Sequence, residues 1–371
     1  MSAVVALSRP GRSGDRPAPA PRLALLGTGT VGAAFVARWQ RLRQQGIAVP
    51  GIAWLCNSRA LRPGDGDPLQ ALEDARTAPA TTGRWAPWVE AESLRPGDVM
   101  VDATASDTVA GWHAEWLGRG VHVVPANKLG VGADLARAQA IAGASAGRGG
   151  RVGVYGDSAT VGAGLPLLRS LRELAAGGDR IHSVEGVLSG SLAWLFDRYD
   201  GSQPFSQLVR EARDSGYTEP DPRLDLSGED VRRKLLILAR AAGMPLQAHE
   251  VRVDSLVPDA LAATALSEVD ALLPTLDGPL AARALAARNA GAKLRFIGRV
   301  DADGATVGLR TLPGDHPLCA GGGTDNVVAI ASCRYRDQPL VIRGPGAGAG
   351  VTAAALLDDV LGVLRVSTRC R

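Results

Sequence analysis

Residues 22–45 constrain the fold more than any other stretch of this chain. A short apolar run, Arg22-Leu-Ala-Leu-Leu26, meets Gly27-Thr-Gly29-Thr30-Val31-Gly32, and an alanine-rich segment with Phe35 continues to about Gln45. The spacing predicts a strand, a tight glycine turn and a helix. Gly27 permits the turn, Gly29 lets backbone N–H groups approach a pyrophosphate, and Gly32 lets the helix pack on the strand. The helix N-terminus, at Thr30 and Val31, adds the positive end of its dipole. Glycine turns also occur for packing alone, so the flanking strand and helix carry much of the argument. Together they predict a dinucleotide-binding α/β unit.

The following segments extend that unit. A second strand, Gly51-Ile-Ala-Trp-Leu-Cys56, ends at Asn57-Ser58-Arg59. A cofactor without a 2′-phosphate usually meets an acid there. Asn57 is neutral and Arg59 is cationic, so NADP(H) is favoured over NAD(H), although Arg59 is also what a solvated loop carries. A strand from Asp98 to Asp102 runs into Ala103-Thr104, placing Thr104 where open α/β sheets bind ligands. The run Val121-His-Val-Val124 leads to Pro125-Ala126-Asn127-Lys128 and aims Lys128 at the same crevice. His122, alternating with valines, reads as a satisfied core histidine.

The chain has 371 residues, enough for two domains; 41 basic and 38 acidic residues nearly balance, and no run of Lys or Arg with interleaved aromatics points to nucleic acid. No apolar run is long enough to span a bilayer. Cys56, Cys319, Cys333 and Cys370 are scattered without a Cys-x-x-Cys pair and read as reduced thiols. Residues 1–21, rich in proline and arginine, are expected to form a disordered tail. These features point to a soluble cytoplasmic protein without membrane or nucleic-acid partners.

Beyond residue 155 the pattern changes. Tyr155-Gly-Asp-Ser-Ala-Thr160-Val-Gly-Ala-Gly164-Leu-Pro166 opens a helix to about Ala175, and a strand near 183–188 precedes Ser189-Gly-Ser191. Residues 217–234 are the chemically richest part: Tyr217-Thr-Glu219-Pro-Asp-Pro222, Asp225, and a helix with Asp230 and Lys234 four apart. Ser227 reads as its N-cap, with Val231, Leu235, Leu238, Ala239 and Ala242 on the buried face. An acid and an amine on one helix edge suit a small zwitterion, but such pairs are also ordinary helix-surface features. At the C-terminal end, Pro339-Leu-Val-Ile-Arg343, a glycine turn through Gly348, and a helix from Ala353 to about Val366 read as a strand–turn–helix unit. That unit is expected to return to the first domain and complete it.

These motifs, in this order, resemble the homoserine dehydrogenases. The resemblance runs from about Arg22 to Leu364. It rests on Gly27-x-Gly-x-x-Gly32, Ala126-Asn-Lys128, Thr160-Val-Gly-Ala-Gly-Leu-Pro166, Ser189-Gly-Ser191, Gly216-Tyr-Thr-Glu-Pro-Asp-Pro222, Asp225-Leu-Ser-Gly and Asp230-Val-x-Arg-Lys234. His316-Pro317, Gly323-Thr-Asp-Asn-Val327 and Gly346-x-Gly-x-x-Val-Thr352 add to it.

The fold implied is a Rossmann-type doubly wound parallel sheet with an inserted α+β substrate and dimerisation domain. Its parts would be a nucleotide-binding domain over 22–154, the inserted domain over 155–337, and a completing segment over 338–371. The resemblance implies reversible conversion of aspartate 4-semialdehyde and homoserine with NAD(P)(H), in a homodimer. It puts proton donation on Lys234, with Lys128 beside the nicotinamide; the residues alone do not rank the two. Glu219 and Asp230 would hold the substrate ammonium, Asp225 would orient Lys234, and Gly216, Tyr217 and Ser191 would line the substrate. Gly27, Gly29, Thr30, Val31, Gly32, Thr104, Lys128 and Gly348 would face the cofactor. A monovalent cation, Na+ or K+, is implied at the carbonyls of Val161, Ala163 and Leu165. The carboxylate that precedes this loop in some relatives is Ser158 here, with Asp157 adjacent, and Ala105 stands where many relatives carry serine. Only about twenty residues follow Val351, so the expected threonine inhibition is weak or absent.

Overall fold

The computed structural model describes residues 20–64, 66–79, 93–146 and 152–369. All but the last two residues of the proline-rich tail, and Cys370, lie outside this set.

Strands β1 (Arg22–Leu26), β2 (Gly51–Cys56), β3 (Leu61–Pro63), β4 (Val99–Asp102) and β5 (His122–Pro125) form a sheet in the order β3-β2-β1-β4-β5. The β1, β2, β4 and β5 pairings are parallel, and β3 joins β2 antiparallel. Such strands read as continuous apolar runs because both faces are covered. One face packs under Phe35, Val36 and Trp39 of the helix Thr30–Gln44, and the other under Val109, Trp116, Leu117 and Ile141. The order in which strands are added reverses between β1 and β4, so their carboxyl ends frame a crevice. His122 is buried on β5 and its Nδ1 accepts from Val154 N–H at 3.0 Å. Burial pushes its imidazole below the usual range, against the pull of Asp98.

The second sheet has the order β11-β10-β6-β8-β9-β7. Its strands are β6 (Ile181–Val187), β7 (Val251–Val253), β8 (Ala292–Asp301), β9 (Gly304–Pro313), β10 (Asp325–Ser332) and β11 (Leu340–Pro345). All neighbours are antiparallel except β7 and β9. One large core joins this sheet to the helices Leu167–Ala176, Gly190–Arg198, Phe205–Asp214 and Glu229–Ala241.

The C-terminal unit is divided differently from the sequence expectation. Strand β11 pairs with β10, from Asp325–Pro345 to Ile330–Leu340, and belongs to the second sheet. Only the helix Ala349–Arg369 returns, burying Ala353, Leu356, Leu357 and Val360 against the Phe35 side of the first sheet. A strand pairs with whichever edge its neighbours offer, and here β10 offers one. The helix also begins four residues before the expected Ala353. Among the described residues, no helix is long and apolar enough to cross a membrane.

The two parts are clamped beside the crevice. A Cβ on Gly132 would lie 2.8 Å from Lys128 O and 2.9 Å from Arg233 O, so the loop after β5 touches the helix Glu229–Ala241 backbone to backbone. Arg240 on that helix donates to the carbonyls of Val131 and Ala133 in the same loop.

Candidate active site

The glycine turn has the shape an anion needs. Gly27 sits at φ +97°, and a Cβ there would meet Ala103 O at 2.6 Å. A Cβ on Gly32 would lie 2.0 Å from Gly27 O, so neither position accepts a side chain. Gly29 has open space around its Cβ position and caps the helix with no side chain, and no acid occupies the first turn. The first helical N–H groups at Thr30 and Val31 are therefore left for an external acceptor. The residues present fit a dinucleotide pyrophosphate.

At the end of β2, Asn57 is committed to the protein. Its Nδ2 donates to Thr28 Oγ1 (2.7 Å) and Ala75 O (2.6 Å), and its Oδ1 accepts from the backbone N–H groups of Arg59 and Ala60. Asn57 thereby braces the glycine turn instead of presenting an acceptor to a ribose. Arg59 donates to Arg76 O at 2.9 Å, which brings two arginines to this edge. Gly348, at φ +123°, precedes the returning helix.

Lys128 and Lys234 converge from the two parts of the molecule on one carboxylate. Lys234 Nζ lies 2.7 Å from Asp230 Oδ2, and Lys128 Nζ lies 3.4 Å from Asp230 Oδ1. Lys234 is buried, and its Nζ also donates to Leu188 O at 2.7 Å. Burial pushes the Asp230 carboxyl upward, but Lys234 and Lys128 outweigh it and hold the group well below the usual carboxylate range. An ammonium has three N–H donors. On Lys234 two are placed, and the third remains for a ligand.

Local sequence explains this placement. The helix Phe205–Asp214 ends in a Schellman motif: Tyr217 N–H donates to Ala212 O and Gly216 N–H to Arg213 O, with Gly216 at φ +74°. Gly216 thus redirects the chain toward the site. Tyr217 follows, exposed on one face and stacked on Trp194 with centroids 5.0 Å apart. Asp225 Oδ2 accepts from Glu219 N–H (2.9 Å) and Oδ1 from Ser191 Oγ (2.6 Å). Its hydrogen bonds therefore organise the Glu219 loop and Ser191, and do not run to Lys234 as the sequence reading expected. The Glu219 side chain is exposed. The N-cap of the helix Glu229–Ala241 is Gly228, not Ser227. Gly228 adopts φ +77°, and a Cβ there would also press on Phe296 at 2.8 Å, while Ser227 Oγ accepts from Glu229 N–H.

Two participants were given no role by the sequence reading, although Asn326 lies in the motif over 323–327. The carbonyl of Leu188 is a main-chain acceptor, invisible in residue types. Asn326 is fully buried and donates from Nδ2 to the same carbonyl at 3.3 Å; its Oδ1 has no partner among the described residues. A Cβ on Gly346 would fall 2.0 Å from the Asn326 side chain, which accounts for glycine there.

The loop expected to offer a monovalent cation the carbonyls of Val161, Ala163 and Leu165 is a tight turn. Ala163 takes a left-handed conformation, φ 47°, in the turn Gly162–Gly164, and Leu165 O accepts from Leu167 N–H. The neighbouring carboxylates have protein partners: Asp157 is paired bidentately with Arg172, and Asp359 accepts from both Ser158 N–H and Ser158 Oγ. Among the described residues, no group of three or more His, Cys, Asp or Glu is arranged to hold a metal ion.

A glycine turn at a sheet switch point, facing a lysine–carboxylate cluster drawn from both parts of the molecule, defines a dinucleotide-binding α/β protein. Comparisons with known proteins give its family. The family model described as homoserine dehydrogenase matches residues 166–361, and that for the homoserine dehydrogenase NAD-binding domain matches 27–154. The chain is 37% identical to a homoserine dehydrogenase of Paracoccidioides brasiliensis, covering 92% of this chain and 97% of that one. It is 46% identical over 71% of its length to the bifunctional aspartokinase/homoserine dehydrogenase 2 of Escherichia coli, of which it spans 32%. It spans under a third of other bifunctional relatives as well. In fold it is similar to a hyperthermophilic archaeal homoserine dehydrogenase in complex with NADPH, with TM-score 0.68, 21% identity, and coverage of 92% and 97% of the two chains. The chain belongs to the homoserine dehydrogenase family.

Proposed function

We propose that this chain catalyses reversible hydride transfer between NAD(P)H and L-aspartate 4-semialdehyde, giving L-homoserine. The observation that carries this reading is the Asp230 carboxylate bridging two ammonium groups, one from each domain, beside a dinucleotide crevice. The bound nicotinamide supplies or accepts the hydride. As the aldehyde carbon gains it, the oxygen becomes an alkoxide that needs a proton or a positive charge. Lys234, with two N–H groups held by Leu188 O and Asp230, directs its third at that oxygen and donates the proton. Lys128 adds a second positive charge and lines the cofactor side. In the reverse direction Lys234 takes the proton from the alcohol.

The substrate ammonium meets Glu219 and the outer edge of Asp230, while Ser191, Tyr217 and the Gly216 turn shape the pocket around it. Gly27, Gly29, Thr30, Val31, Gly32, Thr104 and Gly348 line the cofactor. NADP(H) is the preferred form: Asn57 offers no carboxylate to repel a 2′-phosphate, and Arg59 stands beside it. The proposal includes division near residue 155 into nucleotide-binding and substrate-binding parts, a homodimer, and a cytoplasmic setting. No step requires a metal ion.

The test is the absorbance of reduced nicotinamide formed from homoserine with NADP or NAD at alkaline pH, where proton release favours oxidation. Homoserine-dependent reduction, faster with NADP, is expected. Binding of both cofactors without reduction would leave a dinucleotide-binding protein and remove the substrate assignment.

A further inference from the structure

Behind Lys128 lies a chain of buried polar groups that the reaction scheme does not use. Asp102, the last residue of β4, and His113 are both fully buried, with His113 Nε2 2.9 Å from Asp102 Oδ2. The same Oδ2 accepts from Asn127 Nδ2 at 2.9 Å, and Oδ1 accepts from Thr104 N–H (2.9 Å) and Thr104 Oγ1 (2.7 Å). One carboxylate thus joins the loop after β4 to the loop after β5. Asn127 is held further by Ser106 O, and its Oδ1 accepts from Leu129 N–H, so hydrogen bonds grip the backbone on both sides of Lys128. On its other nitrogen, His113 Nδ1 lies 3.1 Å from Tyr155 Oη. A Cβ on Gly130 would fall 2.5 Å from Tyr155 Oη and 2.8 Å from His113 Nδ1, so the Lys128 turn rests directly on this contact.

We propose that His113 is a positioning residue for the Lys128 ammonium, acting through the Asp102 carboxylate and Asn127. The inference rests on the assignment of Lys128 to the reaction centre. A fully buried carboxylate is a costly way to fill space, and an apolar group of similar size would serve a packing role as well or better. What an apolar group cannot do is accept four hydrogen bonds and hold two loop ends in register. Burial, with Asp157 and Asp102 nearby, pushes the Tyr155 phenol well above its ordinary value. The phenol therefore keeps its proton. The Asp102 carboxylate can only accept, so His113 Nε2–H donates to it, and its four hydrogen bonds hold the carboxylate in one orientation. Reacting groups displaced by about 1 Å can lose roughly 10²-fold in rate, which sets the scale of what such bracing protects.

The experiment compares His113→Phe, His113→Gln, Lys128→Ala and the His113→Phe/Lys128→Ala double variant in the full chain. Readouts are homoserine oxidation with NADP, NADPH binding by fluorescence, and melting temperature. His113→Phe is expected to lower kcat by roughly ten- to 10²-fold, with homoserine KM and NADPH affinity little changed. His113→Gln, which keeps a donor toward Asp102, should recover most of the loss. The double variant should be no slower than Lys128→Ala, because the two changes act on one group.

Multiplying losses, or a kcat loss that follows the melting temperature and is not rescued by glutamine, would overturn the inference in favour of plain structural support. A normal His113→Phe enzyme would overturn it too. Normal turnover in Lys128→Ala would remove the underlying assignment, and that single variant tells the two failures apart. If His113→Phe does not fold, Tyr155→Phe removes only one oxygen. A severalfold lower kcat that vanishes in the Lys128→Ala background supports the inference, and an unchanged kcat overturns it.

Discussion

The two lysines that meet at Asp230 come from unlike places. Lys234 rides on a thirteen-residue helix, its side chain 9% exposed, with acceptors at 2.7 Å on two sides. Lys128 sits on a loop after β5, its side chain 33% exposed, with Asp230 at 3.4 Å. The helix supplies rigidity from its own core: Val231, Leu235 and Leu238 are buried around the lysine. The loop has no core of its own and borrows rigidity from side-chain hydrogen bonds behind it. One carboxylate therefore meets a closely held ammonium and a more exposed one, a difference that supports the proposal of Lys234 as the proton donor.

The strongest way to break this contrast is substitution of each lysine. Lys234→Ala is expected to lower kcat by about 10²–10⁴-fold, the range for a lost general acid or base, with NADPH binding near wild type. Lys128→Ala should cost less, on the order of 10²-fold, as expected for one lost stabilising charge. Steady-state kinetics with a separate cofactor titration measures both. If the ranks are reversed, the loop lysine is the donor and the comparison inverts.

The next contrast lies within the crevice, between the braced Asn57 and the cationic Arg59. Arg59→Ala should reduce the NADP-over-NAD preference in kcat/KM about tenfold, the scale of one charge-assisted contact. An unchanged ratio would mean that Arg59 belongs to the loop alone.

The smallest effect concerns Asp359, whose carboxyl is pushed up to about 6 by burial, against the two hydrogen bonds from Ser158. Its folded value lies above the unfolded value of about 3.9, so the folded chain binds the extra proton between the two. Stability contributed by this group is complete below about pH 4 and is lost as pH rises through about 6. Asp359→Asn should therefore leave the melting temperature near wild type at pH 4 and raise it by a few degrees at pH 8. Calorimetry at both pH values checks the sign.

Much of the site was legible because its chemistry rests on residue type and local spacing. Gly27 and Gly32 cannot be replaced without backbone collision, and Asp230 and Lys234 meet through helical periodicity alone. The errors have a common origin. Ser227 satisfies the local rules for a cap, but the cap falls on left-handed Gly228, where Phe296, distant in sequence, leaves no room for a side chain. Asp225 was expected to face Lys234, yet Ser191 and the Glu219 amide reach it instead.

Sequence by itself determined the dinucleotide turn, the parallel strands as apolar runs, and the carboxylate–lysine pair, because each is written within a dozen or so neighbouring residues. Only the tertiary structure decided that β11 joins the second sheet, that Lys128 reaches Asp230 from another domain, and that Leu188 O, Asn326, Asp102 and His113 stand behind the lysines. Those are contacts between groups far apart in the chain, and main-chain carbonyls among them carry no signature in residue identity.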